Sequence, residues 1–286
     1  MRGPVARMLE GGRLHLQQGP IDLIIGAEGP GRATAFEAAR VRFGTILQEL
    51  VDELPGLRAP VGSVPVSGTV ALRMVKSVNA VAGEDFVTPM AAVAGAVADE
   101  VLDAMREAGE LVRAYVNNGG DIALLLGPGA RYDLALAGLE GQRLGTVNLH
   151  CDHKIGGVAT SGRGGRSLTL GLADSVTVLA ESSAIADAAA TLIANAVDLP
   201  GNAGISRRHA SELDHDSDLG DRLVVTLVPP LSPAERRQAL AAGCARAEAM
   251  LANDQIRGAA LFLQGDASVV GLPMFTQLSE ETLLHA

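Results

Sequence analysis

Two stretches of this chain are so dense in small apolar residues that their folding choices are few. Residues 89–109, PMAAVAGAVADEVLDAMREAG, and residues 183–196, SAIADAAATLIANA, carry Ala, Gly and Val at positions where most amphipathic helices carry larger side chains. Alanine favours the helix. A helix with so little side-chain bulk gains most of its stability from packing, so its neighbours must come close. Thr88 supplies a plausible N-cap ahead of Pro89 at the first helical position, and Gly109 ends the first of these helices.

The rest of the composition narrows the class. Of 286 residues, 48% are hydrophobic and 20% charged, a balance that supports a packed core and order nearly throughout. At this length the chain could hold one large domain or two ordinary ones. A formal net charge of −10, no Trp, two Tyr and five Phe leave neither the basic patch nor the stacking platforms that nucleic acid needs. Cys151 and Cys244 are far apart and form no CxxC, so a disulfide framework or structural zinc has little support. The longest apolar run, Val87 to Ala98, is too short to span a bilayer. A cytoplasmic location with no membrane partner is the resulting expectation.

Periodicity and turn residues give a coarse element order. Leu14 to Ile25 reads as a hairpin turning at Gly19-Pro20, and Thr34 to Leu54 as an amphipathic helix stopped by Pro55-Gly56. Leu57 to Val81, interrupted by Pro60, Pro65 and Gly68, reads as loop and one strand. Leu111 to Val116 and Asp121 to Leu126 flank Asn117-Asn118-Gly119-Gly120 as two strands around a glycine turn. Further strands are expected at Leu134 to Ala137, Thr146 to His150, Ser167 to Leu170 and Ser175 to Leu179, before the helix Ser183 to Ala196. The last third reads as a strand at Leu223 to Val228, a helix at Pro233 to Asn253 and a strand at Ala259 to Leu263. Gly201 to Asp221 is the one long polar interruption, either a loop over a site or ordinary surface.

Several groups could carry chemistry. Asp187 and Thr191 lie four apart on a helix, so both oxygens leave one face, one turn apart. Carboxylate and hydroxyl are hard ligands suited to Mg²⁺; the plainer reading is a carboxylate favoured near a helix N-terminus and a packed Thr. The run Thr160-Ser161-Gly162-Arg163-Gly164-Gly165-Arg166 offers sparsely covered N–H groups and two guanidiniums for a pyrophosphate, or else a glycine-rich hairpin with solvated arginines. Asn118, Gly119, Gly120 and Asp121 form at least a tight turn. His150-Cys151-Asp152-His153 is a rival metal cluster, yet adjacent residues cannot all point at one centre, so a strand end and turn is favoured. His209, Asp214, His215, Asp216 and Asp218 lack the spacing of a calcium loop and read as a solvated acidic loop or lid. No GxSxG elbow, Walker sequence or dinucleotide-binding fingerprint is present.

Three blocks taken together resemble the ApbE family of FAD:protein FMN transferases. AYVNNGGDIALLLG at Ala114 to Gly127 is similar to that family's strand, Asn-x-Gly-Gly-Asp/Asn turn and strand. GVATSGRGGRS at Gly156 to Ser167 resembles its Ala-x-Ala-Thr-Ser-Gly run. SVTVLAESSAIADAAATLIANA at Ser175 to Ala196 resembles its Ser-Val-Thr-Val strand and the helix bearing Ala-Asp-x-x-Ala-Thr. The blocks keep family order over roughly residues 86–196, while the family's Lys-Gly pair and its His-x-x-Asp-Pro element have no counterpart here.

The resemblance implies a single α+β, T-fold-like domain over residues 1–286, or two intimately packed lobes, of mixed or antiparallel sheets packed with helices, in an uncharacterised ApbE-related branch. It implies Mg²⁺ at Asp187 and Thr191, and FAD approaching Asn118, Gly119, Gly120, Asp121, Thr160, Ser161, Gly162 and Arg163. The implied reaction is attack of an acceptor hydroxyl, of a second protein or of water, at the FAD pyrophosphate with release of AMP. No catalytic residue is assigned. Two other readings stay open: a flavin or nucleotide carrier without turnover, and the same fold with a different small-molecule reaction using His150, Asp152 and the 201–221 segment. The alanine-rich helices suggest a homo-oligomer.

Overall fold

The computed structural model describes residues 3–137, 143–165, 167–271 and 275–276. In chain order the elements are β1 (Val5–Met8), β2 (Leu14–Gln18), β3 (Ile21–Glu28), α1 (Arg32–Asp52), α2 (Leu54–Leu57), α3 (Thr69–Val81), α4 (Val93–Ala108), β4 (Arg113–Asn118) and β5 (Asp121–Leu126). They continue with β6 (Arg131–Ala137), β7 (Arg143–His150), β8 (Gly157–Ser161), β9 (Ser175–Ala180), α5 (Ser183–Ala196), β10 (Ser206–His209) and α6 (Ala210–Leu213). β11 (Leu223–Leu227), α7 (Pro233–Ala252), β12 (Gly258–Leu263), β13 (Asp266–Gly271) and β14 (Phe275–Thr276) complete the order. This is an α+β fold built on antiparallel pairings.

The chain divides into two compact units. The first takes the chain as far as Arg131 together with His150–Ala159 and Ala180–Ala188; the second takes Tyr132–Leu149, Thr160–Leu179 and the chain from Ala189 onward. In the first, β1, β2, β3, β4 and β5 follow one another as antiparallel neighbours, and β8 joins β5 through Ile122 opposite Val158 and Ala123 opposite Gly157. α4 lies on β4, β5 and α1, and it buries Gly95, Ala96, Val97, Ala98, Asp99, Val101, Leu102 and Met105. The small residues that made this segment a close-packed helix in the sequence are its buried face. Across β3 and β4, Gly26 faces Tyr115, and a Cβ on Gly26 would stand 2.3 Å from the tyrosine ring. The missing side chain is where the aromatic ring lies.

In the second unit β12 pairs antiparallel with β9 on one side and β13 on the other, with α7 on β12 and β13. β6, β7 and β14 form a three-stranded sheet, and β10 pairs with β11. The turn between β12 and β13 uses Gln264 at φ 46° and Gly265 at φ 87°.

Two expectations fail. Leu57 to Val81 holds the helix α3 and no strand. Pro60, Pro65 and Gly68 all precede its start at Thr69, and the buried Val70, Ala71, Met74, Ser77, Val78 and Val81 recur at helical spacing. The four valines of α3 give it a β-like composition that tertiary packing overrides. Its start is organised by Glu53, whose Oε1 accepts from the Ser67 N–H at 2.9 Å and the Gly68 N–H at 2.8 Å. The second failure is Ser167 to Leu170, which forms no strand. There the Asn195 side chain accepts from the Leu170 N–H at 3.1 Å, replacing a ladder bond. The 201–221 segment is also more ordered than a plain loop: it contains β10 and α6, and Arg207 pairs with Asp198 while donating to the Leu170 carbonyl at 2.7 Å.

Candidate functional site

The first unit brings the N-terminal turns of its two small-residue helices together, and each is met by a carboxylate from the other. Asp99 of α4 is 6% exposed, and its two oxygens accept from the N–H groups of Ser183 at 3.0 Å and Ala184 at 2.9 Å. In return Asp187 of α5 accepts from the Gly95 N–H at 3.0 Å, and the Ala94 N–H also stabilises its charge. Helix N-termini leave unpaired N–H groups and positive potential, which carboxylates satisfy. Ser182 completes the start of α5, its hydroxyl accepting from the Ile185 N–H at 3.3 Å.

Glycine makes this approach possible. A Cβ on Gly95 would fall 2.3 Å from the Ser183 carbonyl oxygen, and one on Gly157 would fall 2.1 Å from the Ser183 nitrogen. Both contacts are with backbone, which cannot swing away as a side chain can. The first turn of α5 is therefore held between α4 and β8 at distances only glycine permits.

The turn 117–121 belongs to the same unit. Gly119 and Gly120 have φ of 67° and 116°, closing β4 and β5 as a two-residue hairpin with Asn118 opposite Asp121. Asn118 is 5% exposed and donates from Nδ2 to the Ala94 carbonyl at 3.1 Å, while Asn117 accepts from the Gly120 N–H at 2.9 Å. The turn is thus pinned to the start of α4, the same turn that Asp187 caps. Burial pushes the Asp187 carboxyl well above the usual carboxylate range, and the negative charge of Asp121 pushes it further; the N–H groups of Gly95 and Ala94 oppose this. Asp99 is pushed up to about 6 by burial, against the pull of the Ala184 and Ser183 N–H groups and of Arg73.

Thr191 stands one turn beyond Asp187 on α5, in the second unit, where its hydroxyl donates to the Ser161 hydroxyl at 3.5 Å. Thr160 pairs with the Thr177 hydroxyl at 2.8 Å. The loop that follows commits its donors internally. The N–H groups of Arg163, Gly164 and Gly165 donate to the carbonyls of Ala173, Asp174 and Gly162 at 2.9, 3.1 and 3.0 Å. The Arg163 guanidinium bonds Asp174 at 2.6 Å and the Leu172 carbonyl at 3.1 Å. Gly162, at φ 139°, has the Asp174 carbonyl 2.7 Å from its absent Cβ. Arg166, the second guanidinium of the expected cradle, lies outside the described residues.

The rival clusters do not assemble. Among the described residues no three His, Cys, Asp or Glu side chains converge as a metal-binding group. His150 to His153 close a strand end: the His153 Nδ1 accepts from the His150 N–H at 3.2 Å and the two rings meet edge to face. His209 bonds the Asp221 carbonyl at 2.6 Å at the end of β10. The residue that sequence reading missed is Asp99. It is the one charged side chain on the buried face of α4, and its partners lie 84 residues further along the chain.

The fold places the chain among ApbE-like α+β proteins, and comparison with known proteins refines this. A family model described as AbpE bacteria matches residues 6–269, and the chain belongs to that family. A UPF0280 protein of Methanothrix thermoacetophila is 42% identical over 116 residues, covering 39% of this chain and 46% of that protein. A UPF0280 protein of Methanoregula boonei is 33% identical over 162 residues, covering 55% of this chain and 68% of that one. The chain thus spans about half the length of the first of these curated relatives. Among solved structures, the ApbE protein of Thermotoga maritima is similar in fold at a TM-score of 0.51 and 12% identity, over 94% of this chain and 96% of that one. No helix among the described residues is long and apolar enough to cross a membrane.

Proposed function

We infer that the chain binds a flavin nucleotide at the Asn118 to Asp121 turn with the help of a divalent cation, and transfers the FMN part of FAD to an acceptor hydroxyl. The observation that carries this is the Asp187 carboxylate, held on the Gly95 N–H at the pinned start of α4, where the negative charge of Asp121 opposes its ionisation. Crowded carboxylates of this kind are relieved by a cation, and hard oxygens in a glycine-lined turn suit Mg²⁺. Family membership and the three sequence blocks support flavin as the nucleotide.

Asp187, with Asp121 beside it, would hold the ion. When bound, Mg²⁺ would neutralise pyrophosphate charge and ease departure of AMP. The protein's own groups do the positioning. Asn118, tied to the Ala94 carbonyl, fixes the turn, and the open space around Gly120 admits a ligand's backbone-close approach. In the second unit Arg163 and Gly162 shape their loop through Asp174. In the reaction the acceptor oxygen forms a bond to the FMN phosphorus as the bond to AMP breaks, and the hydroxyl proton passes to solvent. No covalent intermediate on the protein is needed.

Calorimetric titration of the metal-free chain with FAD, with and without Mg²⁺, followed by chromatography for FMN and AMP, tests this. Mg²⁺-dependent binding with AMP release is expected, and Asp187→Ala should abolish the Mg²⁺ dependence. Binding with no AMP under any metal would leave a flavin carrier; no FAD binding would end the flavin reading.

A further inference from the structure

Asp99 and Asp187 form a closed exchange between α4 and α5. Asp99 fixes the Ser183 and Ala184 N–H groups; Asp187, four residues after Ser183, fixes those of Gly95 and Ala94. Ser183 and Asp187 share one turn of a rigid helix, so whatever orients the first orients the second. Gly95 and Gly157 allow that turn no slack, with absent Cβ positions 2.3 and 2.1 Å from Ser183 backbone atoms. A shift of α5 that broke the Asp99 bonds would carry the Asp187 carboxylate off the Gly95 N–H.

We propose that Asp99 is a positioning residue that sets the Asp187 carboxylate through this reciprocal clasp, closing the two N-terminal turns as a single cooperative unit. It touches no ligand itself. The consequence for cation binding rests on the reading of Asp187 as a ligand of the ion; the clasp itself does not.

The test therefore has two readouts on the full chain. The first is amide hydrogen exchange by NMR, in metal-free protein, at Ala94, Gly95, Ser183 and Ala184, each normalised to Val116 in β4 of the same unit so that general destabilisation cancels. In Asp99→Asn the Ala94 and Gly95 amides, which Asp99 does not touch, should exchange at least about tenfold faster, since a bond lost from a buried carboxylate shifts such equilibria by that order. Asp187→Asn should reciprocally release Ser183 and Ala184. The second readout is Mn²⁺ binding followed by EPR of the free ion, where Asp99→Asn should weaken affinity about tenfold and Asp99→Glu should recover part of the loss. Should Asp99→Asn fail to fold, Asp99→Glu, which keeps the charge but not the geometry, serves as the milder displacement, and faster exchange at Ala94 and Gly95 as well as at Ser183 and Ala184 is required of it in smaller degree. Faster exchange confined to Ser183 and Ala184, with Gly95 still protected, would reduce Asp99 to a simple helix cap and overturn the proposal. Absence of Mn²⁺ binding in the unmodified chain would refute the cation reading alone, leaving the exchange data to decide the clasp.

Discussion

The α4–α5 clasp and the Thr160 to Gly165 loop both set backbone N–H groups beside glycine, yet they dispose of their hydrogen-bonding groups in opposite ways. In the loop, three successive N–H groups donate to the carbonyls of Ala173, Asp174 and Gly162, and its arginine is neutralised by Asp174. In the clasp, N–H groups are met by the carboxylates of Asp99 and Asp187, which keep further lone pairs. A carbonyl partner completes a backbone. A carboxylate partner completes it and retains a charge that a ligand can use, so the two regions differ in residual chemistry more than in shape.

The contrast can be broken most forcefully at its glycines. Gly157→Val drives a side chain into the Ser183 backbone and should cost about 3 kcal/mol or more in urea unfolding, whereas Gly165→Ala, whose nearest neighbour is the Gly162 carbonyl at 3.3 Å, should cost far less. Next comes pH. With Asp99 raised to about 6 from an unfolded value near 3.8, the native state binds the proton more tightly. Its contribution is then fully present below the unfolded value and is lost as pH rises through about 6. Asp99→Asn should remove that downward slope, on the order of 3 kcal/mol, from stability measured between those two values. Arg163→Ala should destabilise by about 2 kcal/mol through Asp174 while leaving Mg²⁺ affinity unchanged, since that charge is already matched within the loop. A fall in Mg²⁺ affinity would show that the loop is not self-contained. Smallest is Thr160→Val, which removes the bond to buried Thr177 and should cost about 1 kcal/mol by thermal melt.

Much of the fold was legible because its signals are local. Gly19-Pro20 marked one hairpin, Gly119-Gly120 another, and Ser183 to Ala196 was bounded correctly because an alanine-rich run after Ser182 has few alternatives. α3 was hidden because its valines speak for strand while its burial period, visible only against a partner, speaks for helix. The site was legible in part for the same reason. Asp121 and Asp187 could be singled out by spacing and resemblance, and structure sets them in one electrostatic neighbourhood. Asp99 could not, since nothing at position 99 tells a reader that the start of a helix 84 residues later needs two acceptors there. The commitment of the Arg163 to Gly165 donors was invisible for a related reason: their acceptors, on Ala173, Asp174 and Gly162, are main-chain carbonyls, and every residue offers one.

The ring of Tyr115 lying over Gly26 also gives this chain an optical signature. The sequence contains no Trp and two Tyr, and the first unit contains Tyr115 while the second contains Tyr132. Each unit therefore carries its own intrinsic fluorophore, and a Tyr→Phe change at either position leaves ultraviolet emission that reports on the other unit alone. A flavin, whose absorption overlaps tyrosine emission, would dim one signal more than the other according to where it docks.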